Sequence, residues 1–480
     1  MLSTSPLKTY NHFTCEDGLI EYFADSPEAV LSKISVAKSQ QEKGVFAFST
    51  ALRILLFKKI KSTLEASKEK LCSIYCEESG LNETRFLSEL DRVFFQLDHF
   101  CAFLERGALR DKNETKVING KEVSFKLKHQ PIGQALVLGA SNFPLAYSAI
   151  GGDVVSALAA GCSVVYKAHP FHIGTSLMVA KIIESCLSQL SLSPCVYTHY
   201  VDDKNHSTTN FLLRSGMIDA VGFTGSQFVG RYLMDVCASL EYPIPVFAEM
   251  GSINPVVFLS NELIHNIEKY ANLLAESITN DAGQFCTKPG VIFYPKCSLG
   301  EIFKNQLMLA VEKQAHFHML HPSIQSRYQN SICQFTSRKE VNVLYRSPGV
   351  NSMCGEKVLA EVSSAVFLKD SAMCSEVFGP FSLLVAYEDN AQLFMLLAKF
   401  KGQLTGTVIG NEKDKELKGV VDYFQKICGR IILNGMPTGV NVLSTMQHGG
   451  PYPSSSDSRF TSVGENSVWR FVRPVTFQNF

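Results

Sequence analysis

The sequence predicts an α/β protein with parallel sheets, divided into more than one domain. Three observations carry this. Short apolar segments alternate with amphipathic helical ones from residue 134 onward. At 480 residues the chain is too long for one compact core. Its composition is that of an ordinary globular protein, 46% hydrophobic and 19% charged.

Residues 1 to about 110 read as helical. ALRILLFKKIKSTL, at 51–64, places apolar residues at helical spacing with lysines between them. Residues 85–106 repeat the pattern with a stripe of phenylalanines, read as core rather than as a ligand box. TKVINGKEVSFKLK, at 115–128, has Asn119–Gly120 between alternating residues and reads as a β-hairpin. Strand–helix alternation then follows: QALVLGA, a helix at 147–160, SVVYKA, a helix at 173–187, CVYTHY, MIDAVGF, a helix at 227–240 and PVFAEM. Such alternation implies right-handed crossovers. A second run holds NPVVFL, a helix at 263–281, GVIFY, an irregular stretch at 295–375, FSLLVAY, a helix at 390–400, QLTGTVIG, a helix at 413–426 and GRIILNG. VWRFVRPVTFQNF reads as a terminal strand.

Charge and cysteine content exclude several classes. Lys plus Arg and Asp plus Glu both total 45, with no basic tract for nucleic acid or an anionic membrane. The longest apolar stretch, 134–165, is broken by Gly, Asn, Pro and Asp, so no membrane span is expected. MLSTSPLKTYNHF lacks the pattern of a signal peptide. The 14 cysteines form no C-x-x-C pair, so neither a zinc site nor a disulfide framework is read and no metal is expected. Unpaired cysteines fit a reducing compartment, and the cytoplasm is the expected location.

A few residues stand where chemistry is done. Cys286, in NDAGQFCTKPG, follows a helix and lies near two glycines; a thiolate is a strong nucleophile near neutral pH. Most cysteines, however, are inert packing residues. Glu249, in VFAEMGSINP, ends a strand and suits a general base for water; taken alone it reads more readily as a surface loop carboxylate. Asn142, in LGASNFP, follows a strand just before an expected helix and offers a neutral donor for an oxyanion, or a helix cap. Gly225–Ser226 joins a strand to a helix, where free N–H groups suit a pyrophosphate. Lys167 ends a strand, placed to hold a ribose hydroxyl or simply to face solvent; Glu376 lies in SEVFGPF, placed to hold a second ribose or merely to start a turn before Pro380.

Each signal is modest, but their joint order resembles the aldehyde dehydrogenase superfamily over nearly the whole chain. AEMGSINP and GQFCTKPG, with Cys286 37 residues after Glu249, carry the resemblance most specifically. It implies the aldehyde dehydrogenase fold: a Rossmann-like cofactor domain (1–114 and 130–248), an α/β catalytic domain (249–445), and a small β oligomerisation element (115–129 with 446–480). It implies that Cys286 attacks an aldehyde, that Asn142 and the Cys286 N–H form the oxyanion hole, and that Glu249 activates water against the thioester. It assigns Lys167 and Glu376 to the riboses, Gly225 and Ser226 to the pyrophosphate, and Phe378 to the nicotinamide. A homodimer or homotetramer is implied.

Within the superfamily the chain is most similar to α-ketoglutaric semialdehyde (2,5-dioxovalerate) dehydrogenases, with bacterial NADP-dependent fatty aldehyde dehydrogenases as near relatives. FAEMGSINP, NGMPTGV, HGGPYPSSSDSRFTSVG and RFVRPVTFQNF carry this. His448, in MQHGGPYP, is a candidate to approach the active site, or a structural loop histidine. Pro170 stands where an acidic residue would repel a 2′-phosphate, so NADP is expected with NAD as the alternative; His169 and His172 are placed near such a phosphate. A dicarboxylic semialdehyde needs a cation, for which Arg459 and Arg106 are candidates. The competing readings are an aliphatic or fatty aldehyde dehydrogenase, an acylating enzyme that passes the thioester to coenzyme A, a cysteine hydrolase, and a catalytically silent relative that binds or supports. Glu249 argues against the acylating enzyme, the cofactor-type residues against the hydrolase, and the intact set of Cys286, Glu249 and Asn142 against the silent relative.

Overall fold

The computed structural model describes residues 6–43 and 48–479, without the side chains of 41, 42, 261 and 263–265. The first five residues of MLSTSPLKTYNHF and the final Phe480 lie outside the described residues. The chain forms two compact units. The first holds Met1–Ala248, Val442–Met446 and Phe460–Phe480; the second holds Glu249–Asn441 and Gln447–Arg459.

In the first unit a two-residue ladder, β1 (Tyr10–Asn11) and β2 (Glu16–Asp17), precedes four helices. These are α1 (Pro27–Glu42), α2 (Thr50–Ala66), α3 (Lys68–Ser79) and α4 (Glu83–Glu105). Ser49 caps α2 and Asn82 caps α4 through side-chain oxygens, satisfying N–H groups that a helix start leaves open. The phenylalanine stripe of α4 is core as read, with Phe86, Phe100 and Phe103 buried. The hairpin is β3 (Lys112–Ile118) and β4 (Lys121–Pro131); Asn119 and Gly120 both adopt positive φ, as its two-residue turn requires. The tail strand β17 (Val472–Gln478) pairs antiparallel with β4.

The parallel sheet of this unit has the order β7-β6-β5-β8-β9. Its strands are β5 (Gln134–Leu138), β6 (Ser163–Lys167), β7 (Tyr197–Tyr200), β8 (Ala220–Thr224) and β9 (Val246–Glu249). The intervening helices are α5 (Gly152–Ala160), α6 (Ile173–Gln189), α7 (Ser207–Arg214) and α8 (Gln227–Ala238). The chain leaves β5 on one side for β6 and β7, then returns to the other for β8. That switch point is where open α/β sheets leave a crevice beyond the strand ends. The helix expected from 147 begins only at Gly152. The preceding turns are tied down by Glu89, whose buried carboxylate accepts the amides of Leu145 and Ala146 at 3.0 Å each.

The second unit holds a seven-stranded sheet of order β12-β13-β14-β11-β10-β15-β16, parallel except for the edge pair β12–β13. The strands are β10 (Val256–Phe258), β11 (Val291–Pro295), β12 (Asn342–Arg346), β13 (Val358–Val362), β14 (Phe381–Tyr387), β15 (Gln403–Ile409) and β16 (Cys428–Leu433). The helices are α9 (Ser260–Thr279), α10 (Ser298–Lys313), α11 (Pro322–Thr336), α12 (Ser364–Lys369), α13 (Asn390–Leu397) and α14 (Leu417–Ile427). The stretch at 295–375, read as irregular, is thus largely regular. Helix α11 hid because PSIQSRYQNSICQFT is mostly polar, with only Ile324, Tyr328, Ile332 and Phe335 buried. One further departure concerns the tail: residues 447–459 fold with the second unit, so the segment 446–480 is not one piece.

Within the first unit, Arg470 and Asp153 form a buried ion pair at 2.8 Å. Arg470→Met would strand the carboxylate of Asp153, an expected cost of about 3–5 kcal/mol. The urea midpoint checks this, and Arg470→Met with Asp153→Leu should restore most of the loss. A single variant within about 1 kcal/mol of wild type would remove this pair from the stabilising interactions.

Candidate active site

The nucleophile candidate is set by an abrupt end to a helix. After Thr279 the chain turns through Asp281, Ala282 and Gly283, all at positive φ. The helix expected to reach 281 therefore ends two residues earlier. At Gly283 no side chain fits, since a Cβ would lie 2.6 Å from the carbonyls of Gly379 and Ile278. This left-handed turn delivers Cys286 into an open loop. The loop is then clamped by Asn254, fully buried, whose amide donates to the carbonyls of Cys286 at 2.9 Å and Lys288 at 3.0 Å. Asn254 is itself held: its N–H donates to Gln403 Oε1 at 3.1 Å and its carbonyl oxygen accepts from Thr405.

Glu249 arrives at the end of β9, where it makes an antiparallel bridge with Ser455. His448 arrives on the 447–459 loop. That loop runs so near the sheet that a Cβ at Gly402 would lie 1.7 Å from the Pro451 carbonyl, and one at Gly429 1.8 Å from that of Gly449. Small residues at both strand starts are therefore what lets the histidine in. His448 is wholly buried and Glu249 4% exposed. His448 Nε2 stands 2.8 Å from Glu249 Oε1 and 3.5 Å from Cys286 Sγ. Cys286, Glu249 and His448, apart in sequence, are thus brought together.

Electrostatics here oppose a thiolate. Burial pushes the Cys286 thiol well above its usual range, and the carboxylates of Glu249 and Glu376 push it further, against the pull of Arg430. Glu376 remains solvent-accessible. The protein around it still raises its carboxyl to about 7, opposed by Lys288 and by the N–H of Ser252. Its carboxylate fills the space over Gly251, where a Cβ would lie 1.9 Å away. Lys288 is buried, donates to the Phe381 carbonyl at 2.7 Å, and is lowered to about 8.

The first unit gathers its candidates at the strand ends. Lys167 closes β6, buried and lowered by desolvation; among the described residues its ammonium has one hydrogen bond, to the Ala168 carbonyl at 3.2 Å. Ser226 caps α8 by accepting from the Val229 N–H at 3.4 Å, with Gly225 before it. Asn142 lies beyond β5, its carbonyl accepting from Arg85 at 3.4 Å. It is ten residues ahead of α5, not beside a helix start.

The aldehyde dehydrogenase family profile matches residues 3–468. The chain belongs to the aldehyde dehydrogenase family. It is 34% identical over 448 residues to an alpha-ketoglutaric semialdehyde dehydrogenase of Acinetobacter baylyi, covering 92% of this chain and 83% of that protein. A protein of the same name from Azospirillum brasilense, numbered 2, is also 34% identical, over 90% and 83%. Among solved structures, a glyceraldehyde-3-phosphate dehydrogenase of Methanocaldococcus jannaschii complexed with NADP superposes with a TM-score of 0.82 at 16% identity, covering 100% of this chain and 99% of the other. Aldehyde dehydrogenase 21 of Physcomitrella patens, in complex with the reaction product succinate, gives 0.81 at 16% identity, covering 100% and 95%. This aldehyde dehydrogenase is therefore an oxidoreductase of the aldehyde group that uses NAD or NADP, with the α/β fold of its family.

Several expected residues are placed differently. Arg459 is exposed and clasps Asp457 through both carboxylate oxygens, away from the role of a pocket cation. Arg106 pairs with Glu465. His172 is buried against the Ala140 carbonyl and pushed down to about 4, so it is neutral and brings no charge to a phosphate. Pro170 is exposed in the turn after β6, and Phe378 is half-buried in the loop before β14. Sequence reading passed over Asn254, Gln403, Lys288, Arg430 and Glu89. Asn254 lay inside the quoted AEMGSINP, whose Asn–Pro step was the available signal.

A neutral resting thiol has a measurable consequence. Labelling of Cys286 by iodoacetamide, followed by mass spectrometry, should quicken about tenfold per pH unit from pH 7 to 9. Glu249→Gln removes a like charge, lowers the thiol's pKa and speeds labelling at fixed pH. Labelling that is flat across this range would mean that the thiolate is already formed.

Proposed function

We propose that this dehydrogenase oxidises 2,5-dioxovalerate (α-ketoglutaric semialdehyde) to 2-oxoglutarate through a thiohemiacetal and a thioester on Cys286. The observation that carries the reading is the contact of Cys286 with His448 and of His448 with Glu249. The thiol is held neutral, so attack needs a base in reach. One nitrogen, His448 Nε2, faces both partners. Bare, it accepts the thiol proton; protonated, it donates to Glu249. Switching between these states carries the proton from sulfur to carboxylate, and the deprotonated sulfur adds to the aldehyde carbon. Asn142 and the Cys286 N–H are the oxyanion donors in this reading. When bound, the nicotinamide cofactor accepts the hydride. Glu249 gives the thiol proton up to solvent and, as a carboxylate again, takes one from the water whose oxygen attacks the thioester; the same proton returns to the leaving sulfur, releasing the acid and the Cys286 thiol.

The cofactor has a fitting cradle. Lys167 is a buried ammonium with donor capacity to spare for ribose hydroxyls, and the capped start of α8 at Gly225–Ser226 presents N–H groups suited to a pyrophosphate. Glu376 and Phe378 are the second-unit residues assigned to the nicotinamide end. The names of the relatives at 34% identity support the semialdehyde. Arg430 supports it too, as a cation whose field reaches Cys286. Its guanidinium donates to the carbonyls of Pro437 and Gly439, and Gly439 in turn donates to Thr287 beside the nucleophile. No helix among the described residues is long and apolar enough to cross a membrane. We place the enzyme in the cytoplasm as a homodimer or homotetramer, assembled through the exposed hairpin and the tail.

The first test is NADPH formation with 2,5-dioxovalerate, succinic semialdehyde and a long-chain aldehyde. Cys286→Ser should fall to background. Glu249→Gln should turn over about 10²–10⁴-fold more slowly, through loss of both the acceptor of the thiol proton and the base for water. Highest kcat/KM on the long-chain aldehyde would replace the semialdehyde reading. A fast steady state in Glu249→Gln would remove that residue as the base.

NADP should be preferred over NAD, because Pro170 puts no charge against a 2′-phosphate. Pro170→Glu should lower kcat/KM for NADP about tenfold, or ~1.4 kcal/mol, and spare NAD. Equal losses with both cofactors would place Pro170 away from the phosphate.

A further inference from the structure

We propose that Glu249, Cys286 and His448 also form a binding site for one zinc-type divalent cation, which shuts the enzyme off reversibly. The inference rests on the reading above, in which these three side chains do the chemistry.

The donor set is the first argument. One atom from each residue, a carboxylate oxygen, a sulfur and an imidazole nitrogen, all lie within 4.8 Å of one another. Carboxylate, thiolate and neutral imidazole are the ligands zinc prefers, and their two negative charges match its own. Geometry is the second. Zinc–ligand distances of about 2.0–2.3 Å in a tetrahedron put donor atoms about 3.4–3.6 Å apart. Cys286 Sγ and His448 Nε2 already stand 3.5 Å apart. His448 Nε2 and Glu249 Oε1 stand 2.8 Å apart, a separation that a cation would widen slightly.

The third argument is preorganisation. Cys286 is fixed through its carbonyl by buried Asn254, Glu249 by its bridge to Ser455, and His448 by the glycines under its loop. Little ordering is left to be done on binding. Three protein ligands leave a fourth position for water, and partly accessible Cys286 gives the ion a way in. On binding, the Cys286 thiol loses its proton to the buffer, a sulfur–metal bond forms, and nothing is oxidised. Because nucleophile, base and histidine are all occupied at once, activity stops. The remaining cysteines cannot copy this set: among the described residues, this is the one group of three His, Cys, Asp or Glu side chains with such convergence.

The test titrates the reduced, chelator-stripped protein with Co²⁺ and with Zn²⁺. We expect one Co²⁺ per chain with a thiolate-to-cobalt charge-transfer band, displaced by Zn²⁺. The band should vanish in Cys286→Ser, and His448→Gln should weaken binding on the order of 100-fold. Zn²⁺ should also shield Cys286 of the wild-type protein from iodoacetamide, a readout that needs no variant to fold. A band that persists in Cys286→Ser, or no zinc-dependent shielding of Cys286, overturns the site. Turnover is measured separately in EDTA, where it should be full, fall with added zinc and return with chelator. Metal binding without turnover on any aldehyde would refute the dehydrogenase chemistry and leave the site standing; turnover without metal binding would do the reverse.

Discussion

The buried amide of Asn254 is the contact on which the catalytic end of the second unit depends. A loop that follows a left-handed turn has no ladder to satisfy its carbonyls, and a buried carbonyl without a partner is costly. Asn254 satisfies two of them, at Cys286 and Lys288, and is itself held from behind by Gln403 and Thr405. Gln403 also accepts from Ser252 and Ile253, so one side chain ties the start of β15 to the segment that follows Glu249 and leads into β10. The nucleophile is therefore fixed through its backbone, which leaves its side chain free to change partners during a reaction.

Much of this was legible in the sequence. The strand–helix rhythm from Gln134 onward gave the parallel sheets, and Asn119–Gly120 gave the hairpin turn because few other pairs accept two positive φ angles. Cys286 and Glu249 stood out through their glycine-flanked segments. What stayed hidden is non-local. Helix α11 buries a sparse stripe in a polar sequence, so its period shows only when its partner face is known. Arg459 and His172 look like useful cations on paper. Asp457 neutralises one, and desolvation keeps the other uncharged. No local pattern reports either outcome.

The charges around Cys286 set the order of events. Two carboxylates and burial hold the sulfur protonated, which also guards a partly accessible thiol against oxidation and alkylation. The same carboxylates would make the nucleophile useless without a route for its proton. His448 supplies that route without adding a permanent charge, since a neutral imidazole can accept a proton from one side and pass it to the other. A lysine in its place would hold a fixed positive charge and pin Glu249 as a carboxylate.

That arrangement also explains why the site should be vulnerable to a soft cation. A proton relay needs donor and acceptor atoms within hydrogen-bond reach and pointed at a common place. A metal centre asks for the same two things at separations only slightly longer. An enzyme that activated its sulfur by a fixed cation would escape the problem, because positive charge repels a metal. Here the base is an anion, the relay is an imidazole and the nucleophile is a thiol, so each feature that lets the chemistry proceed near neutral pH also lowers the barrier to zinc entering.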